Sequence, residues 1–128
     1  TMPPDQQSMK AAMQAYVDGL NRGDAEAVIA LFAVDAVIED AVGTEPKQGQ
    51  AIREWFHQAV AMKAQLALAT PIRGSHGNAA AMAFTVTTEW EGRSVRIRSL
   101  DVCTFDEAGH IIRLEAYWGP DDIEIRTK

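Results

Sequence analysis

Along the first half of the chain the apolar positions recur at helical spacing. In "DQQSMKAAMQAYVDGLNRGD", Met9, Ala12, Met13, Tyr16, Val17 and Leu20 fall three and four residues apart, the stripe of one amphipathic helix. Asn21, Arg22 and Gly23 end that helix. Asp24 then caps a short second one whose apolar residues are Val28, Leu31 and Phe32. "VDAVIEDAV", residues 34–42, alternates with the period of a strand, and "GTEPKQG" reads as a loop. Ile52, Trp55, Phe56, Ala59 and Val60 form the stripe of a third helix.

The second half has the period of sheet. Residues 64–73 read as a strand limited by Pro71, a residue suited to an edge or a bulge. "GSHGN" is a turn, "AMAFTVTTEW" alternates, and "EG" turns it into "RSVRIRSLDVCTF". "DEAGH" turns again into "IIRLEAYWG". Strands joined by short glycine-containing turns make an antiparallel meander. Three helices followed by such a sheet predict an α+β fold, with the sheet curved around a helix so as to leave an apolar pocket.

Alternation also assigns faces. In residues 95–105, Val95, Ile97, Ser99, Asp101, Cys103 and Phe105 share one face, while Arg96, Arg98, Leu100, Val102 and Thr104 share the other. The first face is the more apolar and is expected to look inward, which puts a carboxyl between Ile97 and Phe105. Residues 34–42 repeat the pattern: Val34, Ala36, Ile38, Asp40 and Val42 share the inward face, and Glu39 points to water.

The chain has 128 residues, 47% hydrophobic and 23% charged, which predicts one globular domain over residues 1–128. Its net charge of −6, without a Lys/Arg run, argues against a nucleic-acid partner. A single cysteine, Cys103, excludes an intrachain disulfide and fits a reducing cytoplasm. Zinc-type CxxC and HExxH spacings are absent, and His57, His76 and His110 form no ligand cluster, the last two reading as turn residues. No apolar run reaches membrane-spanning length and no secretory pattern opens the chain, with Thr1 ahead of Met2 left outside the fold reading. A cytoplasmic protein without a membrane partner is expected.

Three polar groups on inward faces carry the candidate chemistry. Taken alone, Tyr16 reads as a core tyrosine whose hydroxyl finds a backbone partner. Asp40 reads equally well as a strand-end residue beside a glycine-containing loop. Asp101 is harder to explain that way, because it lies in mid-strand with no inward Arg or Lys in view; such a carboxyl is paired or stays protonated. Together the three divide labour. A desolvated, protonated Asp101 and Tyr16 are two neutral donors for one oxygen, an oxyanion hole. A wetter, ionised Asp40 is a general base. That set suits proton abstraction beside a carbonyl.

With these residues in register, the chain resembles the Δ5-3-ketosteroid isomerases over residues 9–125. The likeness is carried by "AYVDGLNRGDAEAVIALFAVDAVIEDAVG", "PIRGSH", "DVCTFDEAGHI" and "AYW". The resemblance implies the cone-like α+β fold of the nuclear-transport-factor superfamily and a 3-oxo-Δ5 steroid as substrate. It makes Asp40 the base that carries a proton from C4 to C6. Tyr16 and Asp101 become donors to the dienolate oxygen, the aspartic acid being kept neutral at pH 7 as in that family. Phe84 and Trp118 match positions that line the steroid, with Val86, Leu114 and Phe56 placed in the same substrate-binding set. No cofactor or metal is implied, and two copies are expected to pair through their sheets.

Two positions depart from the family. Phe32 and Phe56 stand where some members place tyrosines hydrogen-bonded to the oxyanion tyrosine, and Ala41 stands where a proline commonly follows the base. Two other functions share the expected pocket: a hydrolase or cyclase of the same superfamily, and a non-catalytic binder of apolar ligands.

Overall fold

The structure, a computed structural model, describes residues 4–127, so Thr1 and Met2 lie outside the described residues. Helix α1 (Gln6–Asn21) starts where the Asp5 carboxylate accepts from the Ser8 amide at 2.7 Å. Helix α2 (Ala25–Ile29) starts the same way, with Asp24 accepting from Ala27 at 3.0 Å. The two helices meet at Gly19, where an added Cβ would lie 2.7 Å from Val28 Cγ2, so any larger residue would push them apart. Helix α3 (Gln50–Ala61) buries Ile52 and Phe56.

The six strands are β1 (Phe32–Asp40), β2 (Gln65–Leu68), β3 (Ala79–Trp90), β4 (Arg93–Phe105), β5 (Ile111–Tyr117) and β6 (Ile123–Thr127). They form one curled, unclosed sheet in the order β1-β5-β4-β3-β2, with β6 pairing the first half of β4. All pairings are antiparallel except β1 with β5. β3 and β4 run in unbroken register from Ala79↔Thr104 to Trp90↔Arg93. Their turn, Glu91-Gly92, has φ of 48° and 74°, the backbone sign that matches strand twist in a two-residue hairpin. The helices pack on the concave face, and Met9, Met13, Val28, Ile38, Phe56, Met82, Phe105, Ile111 and Leu114 are buried between the layers.

The fold class, the three helices and the inward face of β4 match expectation: Ser99, Asp101, Cys103 and Phe105 are buried while Arg96, Arg98 and Leu100 are exposed. Elsewhere the pattern misled. Phe32 does not close the second helix but opens β1, opposite Ile111. A register shift between Phe32 and Val37 bulges β1, and Val34, expected to face inward, is 99% exposed. Val42 lies past the end of β1 and is exposed too. The strand expected over residues 64–73 ends at Leu68, and beyond Pro71 only Arg73 regains the sheet, through a single bridge to Ala81. Proline has no N–H for the ladder. β6 went unread, although "IEIRT" alternates; it follows a short 3-10 turn, Pro120–Asp122.

Candidate active site

Register brings the two aspartates into one row. Asp40 at the end of β1 pairs with Ala116 on β5, Ala116 pairs with Asp101 on β4, and Asp101 pairs with Met82 on β3. Residues paired across neighbouring strands project from the same face, and two strand spacings separate the carboxyl-bearing backbones by about 10 Å. The residue between them is alanine, so no bulky side chain divides the two carboxyls.

Beside this row lies an apolar cavity of about 390 Å³, within the usual range for a small-molecule site. Tyr16, Asp40, Phe56, Phe84, Val86, Ser99 and Trp118 are among its walls, and Trp55, Met62, Val95, Ile97, Ile123 and Ile125 extend it toward β6. Asp101 itself is 1% exposed and borders the cavity through its neighbours, the wall residue Ser99 that bonds it and the wall residue Asp40 in its row. Of the residues expected to line the site, Leu114 does not: it is wholly buried in the core between sheet and helices. It alternates in phase with Ala116 and Trp118, and only depth, which alternation does not encode, separates it from them.

Each polar group has its own environment. Trp118 Nε1 donates to Asp40 Oδ1 at 2.8 Å. The Asp40 backbone carbonyl accepts from Lys47 Nζ at 3.5 Å, and the same ammonium stands 4.2 Å over the Trp55 ring. Burial raises the Asp40 carboxyl above its ordinary range, opposed by the Trp118 hydrogen bond and the Lys47 charge. The peptide from Asp40 to Ala41 is cis. Burial pushes Asp101 up to about 8, the negative charge of Asp40 adds to this, and a hydrogen bond from Ser99 opposes it. Ser99 Oγ donates to Asp101 Oδ1 at 2.8 Å, while Oδ2 is buried without a hydrogen-bond partner among the described residues. At pH 7 Asp101 is therefore the protonated member of the pair.

Tyr16 is 5% exposed, and burial first, then the charges of Asp101 and Asp40, hold its hydroxyl well above the usual value. It stays a neutral donor. Its ring stands edge-on to Phe56 at 5.7 Å and tilted to Phe32 at 6.5 Å, so both aromatic neighbours lack a hydroxyl. Among the described residues the Tyr16 hydroxyl makes no hydrogen bond, which leaves it free for a ligand.

Glu39 departs from expectation. Its side chain is 18% exposed, pairs with Arg113 at 3.3 Å and accepts from the Gly43 amide at 2.7 Å, tying the loop after β1 to the sheet. Sequence reasoning also missed Ser99 and Lys47, and it read Trp118 as a wall without its hydrogen bond. Ser99 shares the inward face of β4 two positions before Asp101, which was the available signal. Lys47 had none, since a loop residue reaches the site only through the path of its loop. No group of three or more metal-ligating side chains occurs among the described residues.

The chain as a whole is similar to several known proteins. The family model described as SnoaL-like domain matches residues 13–114. A steroid Delta-isomerase of Nocardioides simplex is 35% identical over 117 residues, 91% of this chain and 94% of that protein. The epoxide hydrolase LasB of Streptomyces lasalocidi is 30% identical across 94% of this chain, which spans 44% of that protein's length. Among solved structures, the epoxide hydrolase/cyclase-like enzyme SalBIII, described for a role in pyran ring formation in the polyether salinomycin, matches with a TM-score of 0.88 and 27% identity, covering 95% of this chain and 98% of its own.

Proposed function

The chain belongs to the SnoaL-like domain family, and on that premise we propose that it is a steroid Δ-isomerase, converting 3-oxo-Δ5 steroids to their conjugated 3-oxo-Δ4 isomers. One observation carries the proposal: two carboxyls lie in one row beside an apolar cavity, and their environments leave one protonated and the other to ionise. Asp40, the ionised one, takes a proton from C4 of the steroid. The electron pair moves through the carbonyl to give a dienolate, and the protonated Asp40 returns the proton to C6. Tyr16 and Asp101 donate hydrogen bonds to the oxygen as its charge grows, an effect strongest in a water-poor site. Phe56, Phe84, Val86 and Trp118 bury the steroid body. The 35% identity to a steroid Delta-isomerase supports this.

The proposal takes residues 1–128 as one isomerase-like domain that needs no cofactor and works as a homodimer in the cytoplasm. Pairing through the outer sheet face is supported by Leu100 and Tyr117, neighbours in register on β4 and β5 and both about half exposed. No helix among the described residues is long and apolar enough to cross a membrane.

The test follows the absorbance rise as 5-androstene-3,17-dione becomes its conjugated isomer, for wild type and Asp40→Asn side by side. Conversion that falls about 10²–10⁴-fold in the variant supports both the reaction and the base. A folded wild type that binds the steroid without converting it overturns the isomerase and favours a binder.

The epoxide hydrolase and cyclase-like relatives support a second reading, opening of an epoxide on another apolar substrate. Asp101 would then protonate the epoxide oxygen while Asp40 activates water or a substrate hydroxyl. Mass spectrometry of epoxide and steroid incubations separates the two, because a hydrated or cyclised product belongs only to this second chemistry.

A further inference from the structure

Two facts about Asp101 go together. Its Oδ1 accepts from Ser99 Oγ at 2.8 Å, and its Oδ2 is buried with no partner among the described residues. Ser99 is itself buried and lines the cavity, and its hydroxyl has no other hydrogen-bond partner among the described residues. A neutral carboxylic acid carries its proton on one oxygen only, and the other accepts. Two arrangements are open. If Asp101 donated through Oδ1 to Ser99, the serine hydrogen and Oδ2 would both be left unpaired in a buried place. If Ser99 donates to Oδ1, the serine is satisfied and only an Oδ2–H group waits for a partner. Each buried unpaired polar group is costly, so the second arrangement prevails.

We propose that Ser99 is a positioning residue: by donating to Oδ1 of Asp101 it confines the acid's proton to Oδ2 and presents that O–H to the oxygen of the bound ligand. This deepens the isomerase proposal and rests on it for the identity of that oxygen. Without Ser99 the proton is shared between the two carboxyl oxygens and the side chain loses the bond that holds its plane. The groups facing Asp101 are Asp40 from β1, Tyr16 from α1 and Cys103 from β4, with Lys47 acting on Asp40 from the loop before α3. Tyr16 and Cys103 are both held well above their ordinary values, so the alkaline limb near pH 8 belongs to Asp101. The Ser99 bond favours the ionised form, and its removal moves that limb to higher pH.

The experiment measures kcat and KM against pH for wild type, Ser99→Ala and Ser99→Thr, with binding of 17β-oestradiol, a phenol on a steroid body, across the same pH range. The expected result for Ser99→Ala is a lower kcat at nearly unchanged KM, a loss smaller than the about 10²–10³ for deleting a direct donor, and an alkaline limb displaced upward. Ser99→Thr, which keeps the hydroxyl, restores both. Wild-type kcat and limb in Ser99→Ala overturn the inference, and so does a rise in KM alone, which would mark Ser99 as wall only. If the wild type fails to isomerise, the proposed reaction falls and oestradiol binding decides about Ser99 independently. Weaker binding in Ser99→Ala, with its alkaline loss displaced upward, upholds the inference; unchanged binding overturns it.

Discussion

The indole of Trp118 holds the carboxylate of Asp40 by a 2.8 Å hydrogen bond across 78 positions of chain. The bond joins the last residue of β1 to the segment just past β5, the two strands that run parallel. It orients one carboxylate oxygen and favours the ionised form against the burial that opposes it.

Replacing Trp118 by Phe keeps an aromatic wall and removes the donor. Asp40 then rises further, and because the base must be ionised to work, the acidic limb of kcat moves to higher pH. A pH profile of kcat in wild type and Trp118→Phe measures this, and an unmoved limb would assign Trp118 to packing alone.

Tyr16→Phe deletes a hydroxyl that no described residue bonds. Turnover is expected to fall about 10²–10³-fold, as for other lost oxyanion donors. Stability is expected to hold, since the ring keeps its contacts with Phe32 and Phe56 and no buried partner is left unpaired. Steady-state kinetics beside urea unfolding separates the two effects.

Asp101 makes stability depend on pH. Its folded value of about 8 lies above the unfolded value, so the native state binds the extra proton between the two. Stability is therefore greatest below about pH 4 for this group and is lost as pH rises toward 8. The gap corresponds to roughly 6 kcal/mol as an upper figure. Asp40, also raised, adds a slope of the same sign. Asp101→Asn removes the larger part, so urea unfolding at pH 8 is expected to show a more stable variant and at pH 5 a much smaller difference.

Leu114 is 0% exposed and stands off the cavity wall. Leu114→Ala is expected to cost about 2–5 kcal/mol in unfolding free energy while leaving KM near the wild-type value. A rise in KM without loss of stability would return Leu114 to the substrate site.

Elements whose faces differ in polarity were legible from the chain itself. The stripe from Met9 to Leu20, the alternation of β4 and the turns between β3, β4 and β5 follow from local periods, because one side of each element meets water and the other does not. Tyr16, Asp40 and Asp101 stood out for the same reason, as polar groups in apolar stripes. Bulges and edges stayed hidden: Val34 faces water because β1 slips against β5, and β2 stops at Leu68, short of Pro71.

What the sequence by itself determined is the set of groups: two carboxyls, a phenol and an apolar surround, each on a face that periodicity assigns. Only the tertiary structure decided which would meet. It set Asp40 and Asp101 in one row with Ala116 between them, brought Trp118 to Asp40, and put Leu114 beneath the wall rather than on it. The physical reason is range. Periodicity comes from contacts a few residues apart, whereas a carboxyl's protonation depends on burial and on charges that only strand pairing brings near.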